Sequence, residues 1–154
     1  MLSKKAKYGI KALLRLARDG QHGPLQSSQL AIAEGIPRKF LELILVQLKN
    51  QGILLSRRGR GGGYSLRVPA EEITIACVVR LFDGPLAPVP CASEHYYQRC
   101  EECLDERSCG VRLVMKDVRD AVAHILEGTT VADLARRADT EIAAMDALHV
   151  RRPA

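Results

Sequence analysis

The residues of this 154-residue sequence with the clearest chemical potential are its cysteines, because four of the five lie within nineteen positions. They are Cys91, Cys100, Cys103 and Cys109, in the spacing C-x8-C-x2-C-x5-C. Thiols this close together suit disulfide bonds, a bound metal ion, an iron–sulfur cluster or a redox-active thiol pair. The compartment and the surrounding elements must decide among these four uses.

The composition favours a globular protein of a reducing compartment. The N-terminus shows no apolar stretch and cleavage site of the secretory kind, and no run of about 18 apolar residues could span a membrane. We therefore expect a cytoplasmic protein without membrane association. In that compartment structural disulfides are rare, which weakens the disulfide interpretation of the cysteines.

Residue chemistry alone leaves three uses of the cysteines open. A structural zinc site made of four cysteines commonly contains a C-x2-C element, but such sites usually pair two close dyads, and only Cys100 and Cys103 are close here. A metal-free thiol switch needs cysteines of lowered pKa, which the five acidic residues between positions 94 and 106 disfavour. Four thiolates suit an iron–sulfur cluster equally well.

Charge is distributed unevenly along the chain. Residues 1–70 carry thirteen Lys or Arg against three acidic residues, a net charge of +10, whereas residues 71–154 have a net charge of −5. A basic half joined to an acidic half suggests a nucleic-acid-binding region attached to a second functional region. A solvated basic face is the alternative explanation of the same count.

The basic half has the pattern of a winged helix-turn-helix. Apolar periodicity and cap residues predict three helices, over residues 3–18, 27–35 and 37–51. Ser27-Ser28 is a natural N-cap pair for the second helix, and Pro37 suits the first position of the third. The segments "ILLS" and "YSLRV" around the turn "RRGRGGG" then predict a β-hairpin, the wing.

The acidic half is predicted to be mainly helical. A helix over residues 73–82 places Cys77 on an apolar face, where a lone cysteine usually belongs to the core. From Val111 to Gly128, apolar residues recur every three or four positions and form a seam long enough to pack against a second copy of the chain. A short helix then ends near Leu134. The predicted organisation is a winged helix-turn-helix domain over residues 1–70, a helix and proline-rich connector over 71–90, the cysteine loop over 91–110, a dimerisation helix and short capping helix over 111–135, and a frayed or disordered tail over 136–154.

The basic half also contains the residue types that read DNA. At the start of the third helix, Arg38 and Lys39 can contact guanine or phosphate, and Glu42 can accept a hydrogen bond from a cytosine amino group. A solvent-exposed pair between Glu42 and Arg38 is the alternative. The wing supplies arginines suited to a narrow minor groove, at Arg57, Arg58 and Arg60. Phosphate contacts are expected from the first two helices, at Lys4, Lys5, Lys7, Ser27, Ser28 and Gln29.

Three segments together resemble a known family. These are "SKKAKYGIKALLRLA", the wing segment "SRRGRGGGYSL" and "VRDAVAHILEGTTVADL", in this order. They are similar to the iron–sulfur cluster regulator (IscR) family of bacterial winged-helix repressors, which includes NsrR and CymR. The similarity covers residues 2–135, and it implies a homodimer with N-terminal winged helices and a long C-terminal dimerisation helix.

The resemblance also implies a use for the cysteines. Cluster-bearing members hold a [2Fe–2S] or [4Fe–4S] cluster with three cysteines in the loop before the long helix. Cys109 and Cys103 match the third and second of these, and either Cys91 or Cys100 matches the first. The histidine that serves some members as fourth ligand is replaced here by Arg112. Other members use an acidic residue from the first helix of the partner subunit, but the first eighteen residues of this chain contain no Asp, Glu or His. A fourth cysteine would supply the missing ligand.

The sequence therefore predicts a mainly α-helical transcription regulator with a small β-hairpin, rather than an enzyme. It would bind a double-stranded DNA operator as a homodimeric repressor and sense redox, iron or nitric oxide status through its cluster. "RCEEC" resembles a disulfide oxidoreductase motif only superficially, because no βαβ pattern precedes it. A four-cysteine zinc site, a metal-free thiol switch and a winged-helix adaptor that binds protein instead of DNA are the alternatives.

Overall fold

The computed structural model of the chain describes residues 2–150, with side chains of the last helix described up to residue 141. The elements are α1 (Lys4–Asp19), α2 (Ser27–Glu34), α3 (Arg38–Asn50), β1 (Leu54–Arg57), β2 (Gly63–Leu66), α4 (Ile75–Asp83), α5 (Gly110–Glu127) and α6 (Val131–Val150). This mainly helical architecture with one antiparallel hairpin confirms the predicted fold class. Within residues 2–150, no helix is long and apolar enough to cross a membrane.

The winged domain is built around the apolar faces of its three helices. Its fully buried large side chains are Leu13, Leu16, Leu30, Leu41, Ile44, Leu45, Leu48 and Leu54. In α1 and α3 these residues recur at three- and four-residue intervals, so each helix turns one face inward and leaves the opposite face for other partners.

Local backbone geometry forms the turn between α2 and α3. Gly35 adopts the left-handed conformation, with a φ of 63°, at the end of α2. The predicted N-cap of α2 and the predicted first residue of α3 each differ from the structure by one position. The N-cap of α2 is Gln26, which exchanges hydrogen bonds with Gln29 in a capping box, rather than the Ser27-Ser28 pair. Pro37 is the N-cap of α3 rather than its first helical residue, because its ψ of 122° is not helical.

The wing is joined to the segment before α2. Strands β1 and β2 pair from Leu54 with Leu66 to Arg57 with Gly63. Leu25 extends this sheet through a bridge to Tyr64, with N–H to carbonyl distances of 2.9 and 2.8 Å. Gly63 permits the close approach, since a Cβ atom there would lie 2.4 Å from the Leu25 carbonyl oxygen.

Helix α4 packs against α1 and connects the two halves of the chain. A Cβ atom on Gly9 of α1 would lie 2.5 Å from Cε2 of Phe82, so the aromatic ring rests directly on the α1 backbone. At the start of α1, the Ser3 hydroxyl caps the helix by accepting a hydrogen bond from the Ala6 N–H at 3.0 Å. The Ser3 N–H donates to Asp83 Oδ2 at 2.9 Å.

Two predictions for the acidic half are wrong. Cys77 is exposed on the solvent side of α4 rather than part of the core. Helix α6 does not end near Leu134 but continues to Val150, so the predicted tail is helical over residues 136–150, and residues 151–154 lie outside the described part. Tertiary contacts explain the longer helix, because α6 packs against α1 and Asp139 forms a 2.6 Å ion pair with Arg18.

A glycine-to-alanine substitution tests the wing contact. We expect Gly63→Ala to lower the free energy of unfolding by roughly 1–3 kcal/mol, since its methyl group would collide with the Leu25 carbonyl group. Gly20→Ala is the matched control, because Gly20 has a φ of −66° and nothing lies within 4 Å of an added Cβ atom. Urea unfolding followed by circular dichroism measures both, and equal stability of the two variants would contradict the assigned contact.

Candidate nucleic-acid interface and cysteine loop

Helix α3 turns a continuous solvent face away from the core. At 100° per residue, positions 39, 43, 46 and 50 lie opposite the buried side chains of this helix. Lys39 is exposed there, together with Leu43 at 63% and Val46 at 45% of their maximal accessible surface. Of the residues on this face, only Lys39 was predicted to contact DNA. Leu43 and Val46 could have been identified from the sequence, because they are apolar but fall outside the helical positions that form the core.

Glu42 is held in place by two local partners. Its Oε1 atom accepts hydrogen bonds from Arg38 Nε at 2.8 Å and from Ser27 Oγ at 3.0 Å. These hydrogen bonds, first from Arg38 and then from Ser27, lower the pKa of the Glu42 carboxyl group below its usual value. The structure therefore contains the ion pair between Arg38 and Glu42 that the sequence left as an alternative to base reading. The bond to Ser27 additionally ties α2 to α3.

The remaining predicted DNA contacts differ in how accessible they are. Arg57, Arg58 and Arg60 are exposed at the tip of the hairpin, and Lys4 and Lys7 are exposed at the start of α1. Other candidates already have local partners. Lys5 lies over the ring of Phe82, at 5.6 Å from its centroid, and Gln29 accepts a hydrogen bond from the Gln26 N–H at 2.8 Å. Ser28 is half-buried, and its hydroxyl lies 3.5 Å from the side-chain oxygen of Gln26.

The structure brings all four predicted cysteine ligands together in the loop between α4 and α5. Cys91 is buried in the turn Pro90–Ala92, Cys100 is exposed, and Cys103 and Cys109 are half-buried. A hydrogen bond with Cys91 raises the pKa of the Cys100 thiol, and burial and the nearby Cys91, Cys103 and Cys109 raise it further. Cys91, Cys103 and Cys109 thus all lie within electrostatic range of the Cys100 thiol.

The donor set suits a thiolate-bound metal or cluster, but it is not closed around one. Among the side chains described up to residue 141, no three His, Cys, Asp or Glu residues already converge at metal-binding geometry. The Cys91–Cys100 contact and the turn from the Cys103 N–H to the Cys100 carbonyl at 3.2 Å show the loop already folded upon itself. Holding a common group would require these thiols to draw closer together.

Two arginines of α5 fasten the first part of the loop. Arg112 Nε donates to the Cys91 carbonyl oxygen at 3.1 Å, and Arg119 Nη1 donates to the Ala92 carbonyl oxygen at 3.0 Å. Arg112 therefore holds the backbone of a cysteine, where the resemblance had suggested only a missing ligand. Sequence reasoning missed both roles, because a hydrogen bond from an arginine to a distant carbonyl group leaves no motif.

Helix α5 exposes the apolar seam predicted from the sequence. None of the residues 110–127 in this helix is buried. The exposed side chains of the seam are Val111, Val114, Val118, Ala121 and Ile125. The neighbouring stripe, which includes Met115, Val122 and Leu126, is half-buried against the rest of the chain. The helix thus has one face against its own domain and a second apolar face open to solvent.

Comparison with known proteins supports this arrangement. A family model described as Rrf2, iron-dependent transcriptional regulator, matches residues 2–137. The chain belongs to the Rrf2 family. An rrf2-like HTH-type transcriptional regulator of Rhodobacter capsulatus is 39% identical over 137 residues, covering 87% of this chain and 91% of the relative. The IscR regulator of Serratia proteamaculans is 27% identical over 143 residues, covering 93% of this chain and 84% of that protein.

A solved member of the Rrf2 family has the same fold. The structure of CymR, the global cysteine regulator of Bacillus subtilis, superposes with a TM-score of 0.75 at 30% identity, and the match covers 89% of this chain and 97% of that one. The resemblance noted from the sequence is therefore confirmed. As a member of this family, the chain is a transcriptional regulator and not an enzyme.

Proposed function

We propose that the chain is a cytoplasmic, homodimeric repressor that binds an operator through its winged helices and senses redox, iron or nitric oxide status through an iron–sulfur cluster. The observation that carries the sensing function is the grouping of Cys91, Cys100, Cys103 and Cys109 at the start of α5. The iron-dependent description of the matching family supports it. Four thiolates hold iron in proteins, and a cluster bound by them would supply redox chemistry that responds to such signals.

The reading surface combines α3 with the wing. Arg38, Lys39 and Glu42 lie at the N-terminal end of α3, the end that meets base edges in helix-turn-helix proteins. Arg57, Arg58 and Arg60 at the wing tip would enter an adjacent minor groove. Glu42 would leave its present partners to accept from a cytosine amino group, and Arg38, once freed, could contact guanine.

The open face of α5 supports a homodimer. Residues 111, 114, 118, 121 and 125 repeat at intervals of three and four, which is the spacing of a two-helix seam. Packing this face against its copy would bury apolar side chains that are exposed in the single chain. Two reading heads would then address half-sites separated by about 34–36 Å, or a multiple of this distance.

A chain of contacts leads from the cysteines to the reading head. Arg112 and Arg119 fix the start of the loop to α5, and the proline-rich connector joins the loop to the end of α4. There Asp83 binds the start of α1, which carries the predicted phosphate contacts. A change in the loop that shifts α4 would therefore move α1, so that the state of the cysteines and the affinity for DNA depend on each other.

Specific observations bear on three alternatives. Four cysteines with one C-x2-C element also suit structural zinc. A thiol switch without metal is favoured by the similarity to CymR, which is described as a cysteine regulator. An adaptor that binds protein is less consistent with the net charge of +10 on residues 1–70.

Elemental analysis with one substitution tests the cluster. We expect protein purified without oxygen to be brown, with matching iron and acid-labile sulfide, and Cys109→Ala to be colourless yet folded. Cys77→Ala is the matched control, because Cys77 is exposed on α4 outside the loop. Near-stoichiometric zinc without colour would identify the loop as a zinc site. Full colour in Cys109→Ala would refute the role of Cys109 as a ligand. Protein without any metal would favour the thiol switch.

A charge placed in the α5 seam tests the dimer. Val118→Glu should convert the dimer into a monomer, because two buried carboxylates would face each other without partners. Lys116→Glu places the same residue on α5 outside the seam and should leave the dimer intact. Light scattering after gel filtration measures the mass, and a dimeric Val118→Glu protein would place the interface elsewhere.

The wing is tested by the salt dependence of operator binding. Arg58→Ala should weaken specific binding and reduce the slope of log affinity against log salt by about one. Arg137→Ala removes an exposed arginine of α6, remote from the wing in sequence, and should change neither. If Arg58→Ala retains the affinity and the salt slope of the unmodified chain, the wing does not contact the operator. If the unmodified chain itself shows no steep salt dependence, the adaptor alternative gains support.

A further inference from the structure

Two apolar side chains occupy the middle of the face that α3 would present to DNA. Leu43 is 63% and Val46 is 45% exposed, and both lie opposite the buried residues of the helix. They are one turn apart and therefore form a continuous apolar strip. Isolated exposed leucines are common on protein surfaces, but this pair lies within the predicted reading surface.

The surroundings of this strip are positively charged. Lys39 precedes it on the same face, Lys49 follows at the end of α3, and both are exposed. The wing-tip arginines come directly after in the chain. A partner that meets this surface must offer apolar groups flanked by negative charges. Double-stranded DNA has this combination, with phosphates on either side of the major groove and the C5-methyl group of thymine as the apolar group on its floor.

The dimensions of helix and duplex are compatible. Side chains three positions apart on an α-helix are separated by about 4.5 Å along the axis, while neighbouring base pairs are about 3.4 Å apart. Leu43 and Val46 can thus address neighbouring base pairs, one turn further along α3 than the residues that would meet guanine and cytosine.

We propose that Leu43 and Val46 determine operator specificity by packing against the methyl groups of neighbouring thymines in the major groove. The proposal rests on the DNA-binding function proposed above and adds a class of base that this surface selects. Thymines should therefore lie beside the base pair that Glu42 contacts. The two apolar side chains would supply discrimination without a hydrogen bond, and the nearby lysines would supply affinity irrespective of sequence.

Uracil substitution provides a direct test, because uracil lacks the methyl group but retains the hydrogen-bonding groups of thymine. The full-length protein, as purified without oxygen and after treatment with a chelator, first selects operators from a random duplex library. Each thymine of the selected half-site is then replaced singly by uracil. For the unmodified chain we expect about a fourfold loss of affinity at one or two positions, the equivalent of one buried methyl group.

The substitution Leu43→Ala connects this loss to the side chain. The Leu43→Ala variant should bind the thymine operator several-fold more weakly than the unmodified chain. Replacing thymine by uracil at the position that Leu43 contacts should no longer reduce its affinity. Ile32→Ala is the matched control, because Ile32 is 84% exposed on α2 of the same domain, outside α3 and the wing. This variant should retain the uracil response of the unmodified chain.

The outcomes separate the two proposals. If a specific operator is selected but every uracil substitution is neutral, the thymine contact is wrong while the DNA-binding function stands. If Leu43→Ala retains the uracil response, another residue makes the contact and the assignment fails. If no duplex is selected in either state, the DNA-binding function fails as well. A change of mass in Leu43→Ala together with neutral uracil substitutions would show that the strip contacts protein.

Discussion

The contact between Phe82 and Gly9 is the constraint on which the arrangement of the two halves depends. The aromatic ring occupies the space that a Cβ atom of residue 9 would fill, so α4 lies closer to α1 than any other residue type at position 9 would allow. Asp83 adds a hydrogen bond to the N-cap residue of α1. Because α6 packs against α1 as well, this first helix is held by both the winged domain and the C-terminal half. A displacement of α4 is therefore a displacement of α1.

Helix α5 has an apolar face that the single chain leaves exposed. None of its eighteen residues, 110–127, is buried. Most of the stability of a helix in a protein comes from tertiary packing of its apolar face, and the half-buried stripe against α4 supplies only part of that packing. A second copy on the open face would stabilise the same helix whose arginines hold Cys91 and Ala92. Dimer formation and the order of the cysteine loop would then reinforce each other, because both depend on α5.

The elements of the fold were predictable from local signals, whereas the orientation of single side chains was not. Apolar periodicity with Pro37 located the helix-turn-helix, and the glycine-rich turn located the wing. Cys77 was misplaced because a rotation of a few tens of degrees about a helix axis separates core from solvent. The extent of α6 was missed because it depends on contacts with α1, such as the pair of Arg18 with Asp139. Grouping of the four cysteines followed from their spacing, but their anchoring by Arg112 did not.

The exposure of the cysteines suggests how such a loop can be both anchored and responsive. Cys91, at 6% exposure, is tethered through its carbonyl group to α5, and Cys109 directly precedes the first residue of that helix. Cys100 and Cys103 lie between them on an outer segment with acidic neighbours. Cys91 and Cys109 are thus fixed at the base of the loop, whereas Cys100 and Cys103 would have to move towards them to bind a common ligand. The geometry of the loop would therefore depend on whether all four thiols share a ligand. Because the fixed pair belongs to the region held by α5, any strain from that closure would be passed to the helix and, through the connector, to α4. Under the proposed function, Cys91 would thus do more than add a ligand, because its carbonyl group also ties the loop to α5, the helix that carries the proposed dimer seam.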